Sequence, residues 1–358
     1  MDPEIERLYD QSLQTSGRER ISLLEEIVRL ADSNNDVPVG YAARQEMIRE
    51  ANSGGFPEKA LVAFSWCIAQ MDKDPELDDW YHVIWQYKVI QEWVPVFARV
   101  SRTQITSMHD DMAKRLQFIG ESERTAHYYR SWNFMRMGDY EKAHEYQVTY
   151  MKMKRGGLSD CLACEQDRQV ELLTRMQRDQ EALKLAKPII KGKSSCGEVP
   201  EFTNAHICKS YLRLGKTKYA EKLFPKAYSS VKTENKYLGT IGDLMLVPLH
   251  QRDFDTAFGI VKRHLNWAAE SAADELRFRF YCSCSILMEL LANDYRQIKL
   301  RIPQQLSCCN ETGQYTTSEL AGWFENETRQ LADLFNQRNG NDCYTEIIAD
   351  NRKLAGVS

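Results

Sequence analysis

Residues 135–146 read MRMGDYEKAHEY, and how this stretch is read decides the fold. Gly138 breaks a helical run, and Tyr140 and Ala143 open the next one. That is the pattern of two helices joined by a tight turn. Working outward, residues 212–227, LRLGKTKYAEKLFPKA, repeat it, with Cys208, Tyr211, Gly215, Ala220, Phe224 and Ala227 in matching places. Residues 251–261, QRDFDTAFGIV, put Arg252 where the glycine stood and keep Phe254 and Ala257. MQRDQEALKLA centres on Ala182, and GGFPEKALVAF on Ala60 and Phe64. The marker alanines 143, 182, 220 and 257 lie 39, 38 and 37 residues apart. The gap of 83 residues from Ala60 to Ala143 leaves room for one degenerate unit between Leu77 and Gly120.

Close packing of antiparallel helices accounts for the pattern. The first helix needs small residues where the second crosses it, and the second presents an alanine to that crossing and an aromatic to the next unit. Elsewhere Gly and Pro are few and alternating β-branched runs are almost absent, so the chain reads as all-α. Residues 3–15 and 19–32 form two amphipathic helices, with Ile5, Leu8 and Leu13 on one and Leu24, Ile27, Val28 and Ala31 on the other. Thr316-Thr-Ser-Glu319 is a capping box that opens a helix ending near Asn339-Gly340. The expected organisation is an N-terminal helical cap over 1–36, about six helical repeats over 37–270, and a C-terminal helical cap over 271–358 with an irregular loop near 300–315.

Bulk properties narrow the function classes. The chain has 358 residues, a net charge of −4, 27% charged and 43% hydrophobic residues, so it has ample material for a core. Acidic and basic residues are interspersed without the basic stripe that nucleic acid requires. The acidic, amphipathic N-terminus lacks the features of a secretory signal. The densest apolar stretch, FYCSCSILMELL at 280–291, is too short to span a bilayer and reads as a buried helix. The expectation is a cytoplasmic protein that neither inserts into membranes nor binds nucleic acid. Phosphate-loop and serine-elbow motifs are missing, and the seven histidines form no ligand pair. No enzyme activity and no cofactor are expected.

In GDYEKA at 138–143 and in the Cys208 to Ala227 series, the chain resembles the tetratricopeptide repeat (TPR) superfamily, with a period longer than the usual 34 residues. The resemblance implies a right-handed α-solenoid of antiparallel helix pairs with helical caps at both ends. It implies a non-enzymatic scaffold that binds a protein or peptide partner on the concave face, with self-association left open. The superfamily's inward-facing positions fall at Gln45, Arg49, Asn52, Tyr128, Trp132, Met135, Asp167, Glu171, Arg175, Lys209, Arg213, Leu246 and His250. Arg136 adds to the charged rim. The groove residues singled out from these are Arg49, Tyr128, Trp132, Arg136, Glu171, Arg175, Lys209 and Arg213. The Lys/Asn series with which some TPR proteins grip a C-terminal carboxylate is not repeated. A ligand-responsive regulatory sensor is the alternative, since solenoids couple curvature to occupancy.

One motif stands outside this scheme. LSDCLACEQ at 158–166 sets Cys161 two residues from Cys164 in a chain with ten cysteines. Ser159 or Asp160 is expected as the N-cap, which makes both cysteines part of a helix start. A redox pair, or a zinc site with Cys196 and Cys208 completing four ligands, is the sharper alternative. The weak metal candidates are therefore Cys161, Cys164 and Cys196.

Overall fold

Each segment with helical apolar spacing becomes a helix, and the caps and left-handed residues between segments set the turns. The computed structural model describes residues 2–197 and 199–357. Among them the chain is all-α apart from one small ribbon. The first pair is α1 (Pro3–Leu13) and α2 (Gly17–Ser33), followed by α3 (Val37–Gly54) with α4 (Pro57–Met71) and α5 (Trp80–Trp93) with α6 (Arg102–Phe118). Next come α7 (Arg124–Arg136) with α8 (Tyr140–Lys152), α9 (Leu162–Arg175) with α10 (Asp179–Ile190), and α11 (Glu201–Arg213) with α12 (Thr217–Val231). The short α13 (Leu238–Leu244) and α14 (Leu246–Gln251) precede α15 (Phe254–Glu270). Finally α16 (Asp274–Ala292) packs along α17 (Thr317–Asn339), and α18 (Cys343–Leu354) ends the chain.

The turn chemistry follows the sequence markers. Gly138 and Gly215 take φ of +75° and +66°, where an L side chain is strained. Gln177 and Arg252 hold the same conformation at 57° and 62°, at a cost of roughly 1–2 kcal/mol each. The marker residues Ala60, Ala143, Ala182, Ala220 and Ala257 are all 0% exposed, so the helix crossings lie where the small residues are. The degenerate unit is the pair α5 and α6, joined through a 3-10 turn at Val94–Val96 instead of a glycine. Leu13 does not share the buried face of Ile5 and Leu8 and is 69% exposed, because at roughly 100° per residue it falls about 80–140° round the helix from them.

Successive helices pack on one another along the chain, and first helices also touch the first helix of the next unit, as α5 does α7 and α9 does α11. Long-range contacts also join segments far apart in the chain. Arg18 pairs with Glu270 at 3.1 Å. The Ala98 N–H donates to Asp274 at 2.9 Å, and Arg338 donates to the Pro95 and Phe97 carbonyls at 2.7 and 3.0 Å. The core has one large cluster in each half of the chain, and α16, from Phe278 to Leu291, forms the centre of the second.

The capping box at Thr316 and Glu319 is formed, and Gly340 closes α17 at φ +71°. The region near 300–315 is a loop closed by β1 (Gln297–Lys299) and β2 (Gln314–Thr316), paired antiparallel with Ile298 opposite Tyr315. No helix among the described residues is long and apolar enough to cross a membrane.

Candidate functional site on the inner helix face

Polar side chains of α7, α9, α11, α13 and α16 meet on one shared face. Arg136 holds both oxygens of Glu275 at 2.7 and 2.8 Å. Glu171 takes Arg175 at 3.0 Å and Arg168 at 3.1 Å, with the Arg136 guanidinium at 3.8 Å. Asp243 joins Lys209 at 2.9 Å to Arg279. Arg213 reaches Asp179 at 3.0 Å and Asp350 at 2.8 Å. Arg168 also lies over the Trp132 ring at 3.7 Å from its centroid.

Burial sets the electrostatics. It would raise the Glu171 carboxyl, but Arg136, Arg175 and Arg168 outweigh it and hold the group well below the usual carboxylate range. Glu275 is lowered in the same way, with Arg136, Arg175 and Arg279 overcoming burial. Desolvation pushes His206 down to about 3, despite Glu171 nearby, so it is neutral at physiological pH. Within this face Arg136, Arg168, Arg175, Lys209, Arg213 and Arg279 are matched by Asp167, Glu171, Asp179, Asp243, Glu275 and Asp350. The ladder is close to neutral and its charges answer one another, which removes the lone cationic clamp that capture of a free carboxylate needs.

α18 lies across this face. Asp350 meets Arg213 from α11, the Tyr140 hydroxyl lies 3.1 Å from the Cys343 sulfur, and the Tyr344 hydroxyl donates to the Arg136 carbonyl at 3.3 Å. Just before the helix, Asn341 donates to the Met137 carbonyl at 2.8 Å. At its far end His250 Nδ1 lies 2.7 Å from the Leu354 carbonyl oxygen. Tyr344 stacks on Phe335 at 4.3 Å between ring centroids and is 1% exposed. A cavity of about 90 Å³ remains between α18 and the first helices, lined by Glu171, Arg175, His206, Lys209, Glu275 and Tyr344 among others. A larger cleft of about 1240 Å³ lies between α15 and the 299–313 loop. Its walls mix long polar chains such as Lys262, Lys299, Arg301 and Gln304 with apolar residues such as Leu265, Leu300, Ile302 and Leu306.

The structure brings most of the expected groove residues together, but under cover. Arg136, Glu171, Arg175, Lys209 and Arg213 all belong to the ladder, with side chains 15% exposed or less. Tyr128 and Trp132 are buried in the N-terminal core. Arg49 stands apart, 54% exposed and paired with Glu46. Further N-terminal positions on this face also make seams: Gln45 bonds Gln86, and Asn52 accepts the Trp93 indole N–H at 2.8 Å. Asp243, Glu275, Arg279 and Asp350 were not singled out from the sequence. Asp243 and Arg279, 36 residues apart, carried a signal of opposite charge at that spacing, but Glu275 pairs with Arg136 and Asp350 with Arg213 across 139 and 137 residues, which no local pattern shows.

The cap of α9 also differs from expectation. Cys161 itself is the N-cap, its sulfur accepting the Cys164 N–H at 3.3 Å. Asp160 is diverted to Lys88 at 2.6 Å, and Ser159 accepts from Arg124 and from the Gly156 N–H. Cys196 joins Cys161 and Cys164, with all three sulfurs within 4.8 Å of one another. Cys208 is instead buried in the C-terminal core. No protein-family model matches this chain, and no curated protein matches it.

Proposed function

We propose that the chain is a non-enzymatic, TPR-like scaffold for a protein or peptide partner, with the inner face of the first helices as the surface that reads that partner. The right-handed superhelical arrangement and a cytosolic setting belong to the same reading. What supports it is α18. A helix of the chain itself sits on that face through an ion pair to Arg213, hydrogen bonds to the last carbonyls of α7, and an aromatic seat for Tyr344. Helix-in-groove recognition uses these same elements. α18 then stands as the internal occupant, and the partner is a helical segment with an acidic residue placed as Asp350 is.

The test is quantitative affinity capture from the native cell with the full chain, an Asp350→Arg variant and an Asp350→Glu control. Asp350→Arg sets like charges together at Arg213 and loosens α18. Proteins enriched by the arginine variant and not by the glutamate control are the expected result. Identical capture by all three chains counts against the inner face as the binding surface. The same helix favours a second reading, a regulator whose ligand exchanges with α18, and this predicts that ligand addition raises amide exchange in residues 343–354.

A further inference from the structure

Cys161 and Cys164 sit at the N-cap and in the first turn of α9, while Cys196 comes from the segment between α10 and α11. Both sides of this convergence are held in place. The Cys196 segment is pinned by backbone hydrogen bonds between Cys196 and Val199 at 3.0 and 3.3 Å, and Val199 packs into a small core with Ala163 and Ile189, which Cys164 also touches. On the other side, Arg155 donates to the Asp160 carbonyl and pairs with Glu165 at 2.6 Å. Glu165 is further gripped by both Arg124 nitrogens at 2.7 and 2.8 Å. The residues flanking Cys161-Leu-Ala-Cys164 are therefore fixed, and only side-chain torsions remain to be set.

Cys161 and Cys196 are exposed and Cys164 is half-buried. Five other cysteines are buried, and Cys308 and Cys309 are neighbours in the distal loop. Among the described residues, no other trio of His, Cys, Asp or Glu side chains converges in this way. Three sulfurs this close, two of them open to solvent, are placed to share one cation.

We propose that Cys161, Cys164 and Cys196 form a three-thiolate site for zinc that ties the α10–α11 connection to the start of α9 and leaves a fourth position open to solvent. A tetrahedral zinc with bonds of about 2.3 Å sets its sulfurs about 3.8 Å apart. The observed separations, all within 4.8 Å, close to that value by rotation about the Cα–Cβ bonds. Binding releases the remaining thiol protons to water, and no oxidant or reductant takes part. The Cys164 N–H directed at the Cys161 sulfur supports a bound thiolate, as hydrogen bonds around metal ligands do.

The experiment is metal analysis and native mass spectrometry of the full chain after zinc loading under reducing, anaerobic conditions and dialysis. The Cys161→Ser, Cys164→Ser and Cys196→Ser variants are run beside a Cys309→Ser control. Cobalt loading reports thiolate coordination through its charge-transfer and d–d absorption. One equivalent of zinc in the full chain and the control, lost in each of the three variants with circular dichroism unchanged, is the expected result. A chain that emerges metal-free, full zinc occupancy in Cys196→Ser, or a disulfide among the three cysteines in place of metal overturns the proposal.

Discussion

Gly138→Ala tests the seat of the last helix most directly. Gly138 lies at φ +75°, and a Cβ there would overlap the Cys343 Cβ, with the Cys343 sulfur at 2.7 Å and Asn341 Nδ2 at 3.2 Å. Gly215, at φ +66°, has nothing within 4 Å of the same position. Both substitutions incur the left-handed backbone cost of roughly 1–2 kcal/mol, less about 0.4–1 kcal/mol recovered from the unfolded chain. Gly215→Ala is therefore expected to cost about 1 kcal/mol. Gly138→Ala adds overpacking of about 1–3 kcal/mol, because the Cys343 Cβ is fixed to the α18 backbone and cannot rotate aside. The helix can shed that term by undocking, so the excess cannot exceed the docking free energy of α18. Urea denaturation gives the total loss, and hydrogen exchange of residues 343–354 locates it. Faster exchange there in Gly138→Ala, with no change in Gly215→Ala, is expected. Equal stability losses with unchanged exchange would refute the inference that α18 is seated on this turn.

Three further outcomes follow from the buried ladder and the turns. Glu275→Gln removes the charge that answers Arg136 and Arg175 and is expected to lower stability by about 3–5 kcal/mol; a loss below about 1 kcal/mol in urea unfolding argues that those cations are already solvated. Stability is expected to fall with acid before the carboxylates titrate. Burial, with a smaller contribution from Arg130, depresses His109 to about 3, against an ordinary value of 6.5, and its Nε2 lies 2.9 Å from the Asn133 side-chain amide nitrogen, which donates to it. The unfolded chain takes up that proton below pH 6.5 and the folded chain does not, so stability drops by roughly 1.4 kcal/mol per pH unit for this imidazole. His206 and His264, depressed to about 3 and about 4 mainly by burial, act with the same sign. Urea midpoints that stay level from about pH 7 to pH 5 contradict this. Gln177→Gly, at φ 57°, is expected to raise stability by up to about 1 kcal/mol, whereas a loss in thermal unfolding means the Gln177 side chain contributes more than its backbone strain.

How much of this was legible in the sequence depends on the range of the physics involved. Helix starts and stops are local: Gly138, Gly215 and the Thr316 capping box stand where their residue types placed them, and the spacing of the marker alanines tracked the helix crossings. The groove was harder to read. A residue such as Lys209 carries no local sign of whether it faces solvent or a buried charge, since its partner Asp243 lies on a different helix. The resemblance pointed to positions such as Glu171 and Lys209 without saying that their charges are answered by neighbours. α18 was missed as a separate element because its helical spacing, through Tyr344, Ile347, Ile348 and Leu354, is short and follows directly on Gly340. At the cysteines the sequence supplied the pair, and the choice between Cys196 and Cys208 as the third rested on tertiary structure.

An inner face that holds its own helix changes what an affinity measurement on the whole chain means. On the proposed reading a partner competes with α18, so its apparent dissociation constant is the intrinsic one divided by the fraction of molecules with α18 released. Tyr344, fully packed between Phe335 and Phe278, makes that fraction small. For an opening free energy of roughly 3 kcal/mol, the apparent affinity is about 150-fold weaker than the intrinsic one. A weak interaction with the intact chain is therefore compatible with a tight one at the exposed face. The two are told apart by whether affinity rises as α18 is loosened. A partner that binds the outer surface near Arg49 is indifferent to the state of α18. A partner read by the inner ladder tightens in step with every change that releases Cys343 from Gly138 or Asp350 from Arg213.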